Sequence, residues 1–241
     1  KEHSVSGFTG APEGADFSAI KVGATGTEAG TYPANFAEGT VGTVDATGKY
    51  IVTKTTNGNL TIDPIGTVTV TITGKHDSKV YNGTEQSITG FTTDVGDKAI
   101  TVNLKEGHKA VASGTNVGHY DMGLTEDDFE VSSNNYSEIK VVVVDGYLDI
   151  TPVTDEVVVT IKGNTDSKVY NGTEQSVEGY TVDVPDNSIT VVHKEGKTAI
   201  AKGTNVGHYE MNLEAADFEA SSDNYSNIKV VVVDGYLDIT P

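Results

Sequence analysis

A repeat of 89 residues is the feature that most constrains the fold of this chain. The stretch Asp77–Ser87 returns at Asp166–Ser176, and the run Ile139–Pro152 returns unchanged at Ile228–Pro241. Because both pairs keep the same offset, the two copies align without a gap. A fixed period of this kind indicates tandem copies of one small module, and neither copy carries an inserted loop that could build a catalytic cleft.

A third, diverged copy occupies the start of the sequence. Lys1–Phe8 matches Thr84–Phe91, and Asn57–Pro64 matches Asp145–Pro152. The diverged copy has no counterpart of Val68–Gly83, a segment that predicts a first strand and a turn. An unpaired sheet edge invites strand addition, so one hypothesis is strand exchange with a neighbouring molecule at this truncated copy. Otherwise we expect a monomer.

These matches predict three modules, at residues 1–64, 67–152 and 155–241. The joints between them are short and each contains a proline, in Ile62–Thr67 and Ile150–Asp155. Proline stiffens a linker, so the array should behave as a semi-rigid rod.

The local pattern predicts an all-β fold. Val68–Thr73 alternates apolar and polar residues with period two, which is typical of a strand with one buried face. Asn82-Gly83 and Asp145-Gly146 each stand between strand-like runs and predict two-residue hairpin turns. About seven short strands per module favour tandem small β-sandwiches of the immunoglobulin-like type. The alternative is a β-grasp-like module in which Leu124–Phe129 forms one short helix.

A recurrent Gly-x-Tyr motif places Tyr32, Tyr120 and Tyr209 where a chain enters a core strand of an immunoglobulin-like domain. In such a corner the ring is buried and the hydroxyl bonds back to the backbone. We interpret the three tyrosines as structural, with sugar stacking as the less favoured reading.

Charge restricts the partners. The formal net charge is −19, with 35 acidic residues against 16 basic ones, and every basic residue is Lys. Such a chain repels nucleic acid and anionic lipid, and it lacks the guanidinium fork that grips phosphate. It has no cysteine, so neither disulfides nor thiolate chemistry is available. No apolar run is long enough to predict membrane insertion.

No pattern predicts a catalytic, cofactor or metal site. His119 with Asp121, and His208 with Glu210, should share a strand face, but two ligands do not close a metal site. The acidic run Glu126–Asp128 suggests calcium, yet the next copy has alanine at two of these three positions. We therefore expect a protein that is not an enzyme and carries no cofactor.

One covalent alternative is an internal cross-link between a buried lysine and Asn or Asp, with Lys79 and Lys168 beside the first turn as candidates. Exposed lysines are the norm, which favours ordinary surface residues.

The order of Lys79–Ser87, the later Gly-x-Tyr and the closing Gly-Tyr-Leu-Asp-Ile-Thr-Pro resembles the MBG and YDG repeat families of bacterial secreted and cell-wall-anchored proteins. The resemblance covers nearly all of residues 67–241 and, more weakly, 1–64. It implies an extracellular, cell-surface repeat region of an adhesin-like protein, with no catalytic residues to carry over.

Two functions fit this resemblance. The leading one is a stalk that spaces an adhesive tip from the cell wall. The alternative is an adhesive module for host glycan, such as mucin, or for a host protein. The valine runs Val141–Val144 and Val230–Val233 favour the alternative if their outward members form an apolar patch. The absence of Trp weighs against glycan binding.

Overall fold

The computed structural model describes all 241 residues, and the predicted all-β class is confirmed, with the strands in many small sheets. The chain has no α-helix; its helical segments are two three-residue 3₁₀ turns, Glu126–Asp128 and Ala215–Asp217. The first turn lies where the β-grasp alternative required a helix, and it is too short to cross a sheet. No helix has the length and apolar character needed to span a membrane.

Strands form in all three repeats. Those of the first repeat are β1 His3–Ser6, β2 Gly23–Gly26, β3 Gly30–Ala34 and β4 Gly58–Ile62. Those of the second are β5 Ile65–Gly74, β6 His76–Val80, β7 Gln86–Thr89, β8 Phe91–Asp94, β9 Thr101–Leu104, β10 Val111–Gly114, β11 Gly118–Asp121, β12 Phe129–Ser132, β13 Tyr136–Val144 and β14 Tyr147–Thr151. Those of the third are β15 Val157–Gly163, β16 Thr165–Val169, β17 Gln175–Glu178, β18 Tyr180–Asp183, β19 Thr190–His193, β20 Ile200–Gly203, β21 Gly207–Glu210, β22 Phe218–Ser221, β23 Ile228–Val233 and β24 Tyr236–Thr240.

The expectation of about seven strands per module was too low, since each full repeat has ten. Single glycines divide segments that the sequence pattern predicts to be longer strands. Gly90 separates β7 from β8 and Gly179 separates β17 from β18, both with positive φ. A residue in this left-handed conformation turns the chain out of one sheet, and glycine adopts it at no steric cost. Many short strands in small sheets result.

The third repeat shows the arrangement in full. Two three-stranded sheets, in the orders β18-β15-β23 and β16-β24-β21, are accompanied by the two-stranded pairs β17-β20 and β19-β22. β15 runs parallel to β23, from Val157 opposite Ile228 to Lys162 opposite Val233. Val159 and Ile161 of β15 are fully buried in one apolar cluster that also contains Leu237. Alternate residues of β15 therefore form the core, as the period of two predicts.

Both hairpin predictions were wrong. β13 and β14 flank Asp145-Gly146, but β13 pairs with β5 and β14 pairs with β6 and β11. Likewise β6 and β7, on either side of Asn82-Gly83, belong to different sheets. In the third repeat the counterpart of Asp145-Gly146 is Asp234-Gly235. There Gly163 lies against Gly235, and a Cβ on either glycine would overlap the backbone of the other. The glycines thus permit a close parallel crossing instead of a tight hairpin.

The chain divides into two compact units, and the division passes through the second repeat. One unit comprises Lys1–Thr73, Phe91–Lys109 and Leu124–Val144; the other comprises Gly74–Gly90, Ala110–Gly123 and Asp145–Pro241. The first unit holds the sheet β13-β5-β8 and the pair β12-β9, and the second holds the sheet β11-β14-β6, the pair β10-β7 and the third repeat. The module boundaries at 67–152 and 155–241 remain a prediction.

The first repeat contains only four strands, in the pairs β1-β2 and β3-β4. These correspond to β7, β10, β11 and β14 of the second repeat. Between β3 and β4 the chain forms an isolated bridge of Val44 with Ile51. The buried carboxylate of Asp45 organises this loop by accepting hydrogen bonds from backbone N–H groups, including that of Tyr50 at 2.9 Å. This repeat therefore differs from the others by more than the absent first strand.

Candidate interface between the repeats

The linker after the second repeat is hydrogen-bonded to the third. The backbone N–H of Val153 donates to the carbonyl oxygen of Asn224 at 3.0 Å, and the N–H of Ser226 donates back to Val153 at 3.0 Å. These two bonds make Val153 and Tyr225 a parallel bridge. The joint is thus fixed by backbone pairing as well as by Pro152.

A carboxylate joins two tyrosines across this joint. The hydroxyls of Tyr81, in the second repeat, and Tyr225, in the third, both donate to Oδ2 of Asp186 at 3.0 Å. Tyr81 is 7% exposed. Each hydroxyl therefore has a charged acceptor, which makes a stronger hydrogen bond than a neutral one.

The electrostatics agree with this geometry. The pKa of Asp186 lies below its ordinary value, mainly because the backbone N–H of Ser188 donates to Oδ1 at 2.7 Å. The two tyrosine hydroxyls lower the pKa further, while burial opposes them. The pKa of Tyr225 is raised by burial and by its bond to Asp186. The ionised carboxylate and the neutral phenols are thus the favoured forms at the joint.

Asn224 provides a second connection. Asn224 is only 3% exposed. Oδ1 accepts a hydrogen bond from the backbone N–H of Val117 at 2.8 Å, and Nδ2 donates to Oδ1 of Asn116 at 3.1 Å. Asn116 and Val117 precede the Gly-x-Tyr tyrosine of the second repeat. One amide of the third repeat therefore caps the loop that begins a core strand of its neighbour.

The same joint connects the first repeat to the second, within the other unit. Asn135, the counterpart of Asn224, accepts from the backbone N–H of Ala29 at 2.8 Å. Its carbonyl oxygen accepts from the N–H of Ile65 at 2.7 Å. Tyr136 donates to Oδ2 of Asp97 at 2.9 Å. Equivalent residues thus make several equivalent contacts at both joints, with two differences. Asp97 receives one tyrosine and Asp186 two, and the bond of Asn224 to Asn116 is specific to the second joint, since Glu28 replaces Asn116 at the first.

In the third repeat the counterparts of Tyr81 and Val117 are exposed. Tyr170, the counterpart of Tyr81, is 48% exposed, and Val206, the counterpart of Val117, is 51% exposed. Tyr81 packs with Leu148 and Ile150 of its own repeat, and Tyr225 of the third repeat adds the cover that Tyr170 lacks.

The three Gly-x-Tyr tyrosines form the predicted corner hydrogen bonds, but their rings are half-buried and not buried as predicted. Their hydroxyls donate to the carbonyl oxygen four residues earlier, at 2.9 Å for Tyr32, 2.8 Å for Tyr120 and 3.0 Å for Tyr209. Each ring covers a glycine of the preceding strand so closely that a Cβ there would overlap it; for Tyr209 that glycine is Gly203. These contacts support the structural role.

The two recurrent histidines each acquire a partner that sequence reasoning missed. Nδ1 of His119 lies 2.6 Å from Oδ1 of Asp149, and Nε2 lies 3.0 Å from Asp121. His208 has Asp238 at 2.6 Å from Nδ1 and Glu210 at 3.9 Å from Nε2. The pKa of His119 is raised, first by its bond to Asp149. Both histidines are exposed, so each cluster is a charged strand face.

The remaining candidates are occupied by local contacts. Asp128 of the acidic run accepts from the backbone N–H of Thr125 at the 3₁₀ turn, and the chain contains no group of three or more His, Cys, Asp or Glu arranged to hold a metal ion. Lys79 donates to the carbonyl oxygen of Ser87 at 2.7 Å, and Lys168 to that of Ser176 at 2.6 Å. Neither lysine is buried.

The outward members of the valine runs are exposed, with Val142 at 38%, Val144 at 50% and Val233 at 54%. In the third repeat Lys162 pairs with Val233 and Thr160 with Val231. Polar side chains of the neighbouring strand therefore lie beside the exposed valines.

Residues 157–241 match the family model of the MBG domain, which confirms the MBG resemblance for the third repeat. No curated protein matches the chain. Among solved structures, the chain is similar to the crystal structure of the N-terminal four Ig domains of Dscam1 isoform 9.44 with zinc, at 10% identity and a TM-score of 0.21. The match covers 87% of this chain and 55% of that one, so the chain spans about half the length of that structure.

Proposed function

We propose that this chain is a non-catalytic repeat region of a bacterial surface adhesin-like protein, located outside the cell at the cell wall, and that it acts as a semi-rigid spacer. The MBG match supports a repeat region of this kind. The observation that carries the spacer function is the hydrogen bond of Tyr81 to Asp186, because it connects one repeat to the next.

Several contacts act together at that joint. A hydrogen bond contributes about 0.5–1.5 kcal/mol, and about 1.5–3 kcal/mol when one partner is charged. The Tyr81, Asn224 and Val153 contacts must break together if two repeats are to rotate freely, so independent tumbling costs several of these bonds at once. Such a joint holds two repeats in one orientation and yields only under load.

Four of the ten groups with shifted pKa values lie at the joints. Strongly shifted pKa values often mark catalytic groups. Here Asp97, Tyr136, Asp186 and Tyr225 have shifted pKa values, and all four take part in the tyrosine–carboxylate contacts. Their electrostatics therefore have a structural cause, which supports a non-catalytic function.

The net charge of −19 fits the same proposal. Like charges spread over a repeat array repel one another, which keeps neighbouring molecules apart in solution. An acidic surface also disfavours binding to anionic polymers, including sulfated glycans. A spacer needs no specific partner along the array.

The test separates spacing from binding. The chain is applied to a glycan array and to mucus pull-down, and its flexibility is measured by small-angle X-ray scattering. A spacer gives no selective binding and a scattering curve that one conformation fits, whereas the double variant D186A/N224A requires an ensemble. Saturable binding of one glycan or host protein would instead support the alternative function of an adhesive module.

A further inference from the structure

The strand β4 is paired on one side only. It forms hydrogen bonds with β3, antiparallel, with Tyr32 opposite Leu60. The corresponding strands β14 and β24 lie in the middle of three-stranded sheets, in the orders β11-β14-β6 and β16-β24-β21. The second edge of β4 therefore has backbone N–H and C=O groups available to another strand.

The side chains of β4 show the effect of the open edge. Leu60 and Ile62 are only partly buried. Their counterparts Leu148 and Ile150, which are flanked on both sides, are 0% and 2% exposed. A strand added to β4 would remove further apolar surface of both residues from water, which favours its binding.

A cleft runs beside this edge and leads to a carboxylate. Its volume is about 740 Å³, and its lining includes Leu60, Ile62 and Asp63 of the first repeat with Asp97 and Asn135 of the second. Oδ2 of Asp97 accepts one hydrogen bond, from Tyr136. At the other joint the equivalent oxygen of Asp186 accepts two tyrosine hydroxyls. A carboxylate oxygen has two lone pairs, so Asp97 can accept a second hydroxyl.

We propose that the open edge of β4 binds an extended segment with the sequence of Lys75–Gly83, parallel to β4, with its tyrosine hydroxyl on Asp97. The register follows from the second repeat, where His76 is opposite Tyr147 and Val80 is opposite Thr151. On β4 these positions correspond to Asn59 and Asp63. The N–H of Tyr81 donates to the carbonyl oxygen of Thr151 at 2.9 Å, so the bound tyrosine should donate to that of Asp63.

The occupant is a separate segment of this sequence, and not β6 of a second copy. β6 is paired with β14 over five residues, and the tyrosine that follows it is 7% exposed. A second copy could donate this segment only by breaking its own sheet and its joint. A separate segment of the same sequence has no such contacts to lose.

The test is peptide binding to the intact chain. A fluorescent peptide with the sequence of Lys75–Gly83 is titrated with the 241-residue protein, and anisotropy is measured. We expect saturable binding, weakened about tenfold when the peptide tyrosine is replaced by Phe, which corresponds to one charge-assisted hydrogen bond. D97A should remove the preference for Tyr over Phe, while D183A, at an exposed aspartate on β18, should keep it.

Amide chemical shifts give an independent readout. Addition of the peptide should shift the backbone amides of Leu60–Asp63 and leave those of β14 unchanged. No saturable binding, equal binding of the Tyr and Phe peptides to the unaltered chain, or shifts confined to other strands would each overturn the proposal. So would a dimer of the chain that forms without peptide and persists when peptide is added, because the occupant would then be a second copy.

Discussion

Tyr81 and Tyr225 lie in different repeats, and their rings meet edge to face with centroids 5.6 Å apart. Both hydroxyls converge on one oxygen of Asp186. Edge-to-face aromatic pairs contribute about 0.5–1.5 kcal/mol beyond the area that they bury. The carboxylate and the ring pair together make this joint a small apolar core with a charged centre.

Asp186 should therefore contribute more to stability than an ordinary surface aspartate. D186A leaves two hydroxyls without their acceptor, and an unsatisfied buried group costs about 1–3 kcal/mol. We expect the free energy of unfolding of the third repeat to fall by about 2–4 kcal/mol in urea denaturation followed by circular dichroism. The control D183A removes an exposed pair with Lys162 at 3.9 Å and should cost less than about 1 kcal/mol. Equal losses in the two variants would contradict the assignment.

Asn224 should control the exchange of one amide in the neighbouring repeat. In the unaltered chain the N–H of Val117 is bonded to Asn224, while its counterpart Val206 lies in an exposed loop. Hydrogen exchange measured by NMR should be at least about tenfold slower at Val117 than at Val206, since opening the bond costs about 1.4 kcal/mol or more. N224A should abolish the difference. N135A, at the other joint, should leave Val117 protected; loss of protection there would count against the account.

The glycine beneath each corner tyrosine should not tolerate a methyl group. G203A places a Cβ against the ring of Tyr209, and overpacking of this kind costs about 1–3 kcal/mol. Gly66 has no atom within 4 Å of such a Cβ and lacks a positive φ, so G66A is the matched control and should change stability by less than about 0.5 kcal/mol. Thermal unfolding measures both. A G203A variant as stable as G66A would show that the corner can relax.

The pKa of His119 should lie above that of an ordinary histidine because of the hydrogen bond to Asp149. The pKa of His119 is raised, and the bond to Asp149 is the largest cause. A raised folded-state pKa means that this contact stabilises the fold fully below the unfolded pKa of about 6.5 and that the contribution is lost as pH rises through the folded pKa. NMR titration should show a lower pKa of His119 in D149N than in the unaltered chain, and a smaller decrease in D121N. An unchanged pKa in D149N would contradict the assignment.

The sequence predicted what depends on local pattern. The period of two in Val68–Thr73 and its copy identified buried strand faces, and the Gly-x-Tyr motif predicted the corner hydrogen bonds of Tyr120 and Tyr209. These features need only residues close in the chain. They could therefore be inferred without knowledge of the sheet order.

The two hairpin predictions were wrong for a physical reason. Asn-Gly and Asp-Gly favour positive φ. Gly83 adopts it, yet β6 and β7 belong to different sheets. Gly146 does not adopt it, and the chain crosses between sheets there. Close packing of Gly74 against Gly146 makes the crossing possible, and these residues are far apart in sequence. No local signal distinguishes this bend from a hairpin turn.

The joint residues were missed because their partners lie in another repeat. Asp97 and Tyr136 return as Asp186 and Tyr225 at the 89-residue offset, which was a usable signal. Polar residues that recur without a chemical role within the repeat are candidates for contacts between repeats. The pairing of Tyr81 with Asp186, 105 residues apart, required the structure.

The central claim is that the joint holds the second and third repeats in one orientation, and spin-label distances test it most directly. The chain has no cysteine, so S113C and K202C, at equivalent exposed positions of β10 and β20, introduce two unique labels. Double electron–electron resonance should give one narrow distance distribution for this pair, and a broad one when D186A and N224A are added. A distribution that is already broad in the unaltered joint, or that the two substitutions leave unchanged, would contradict the account.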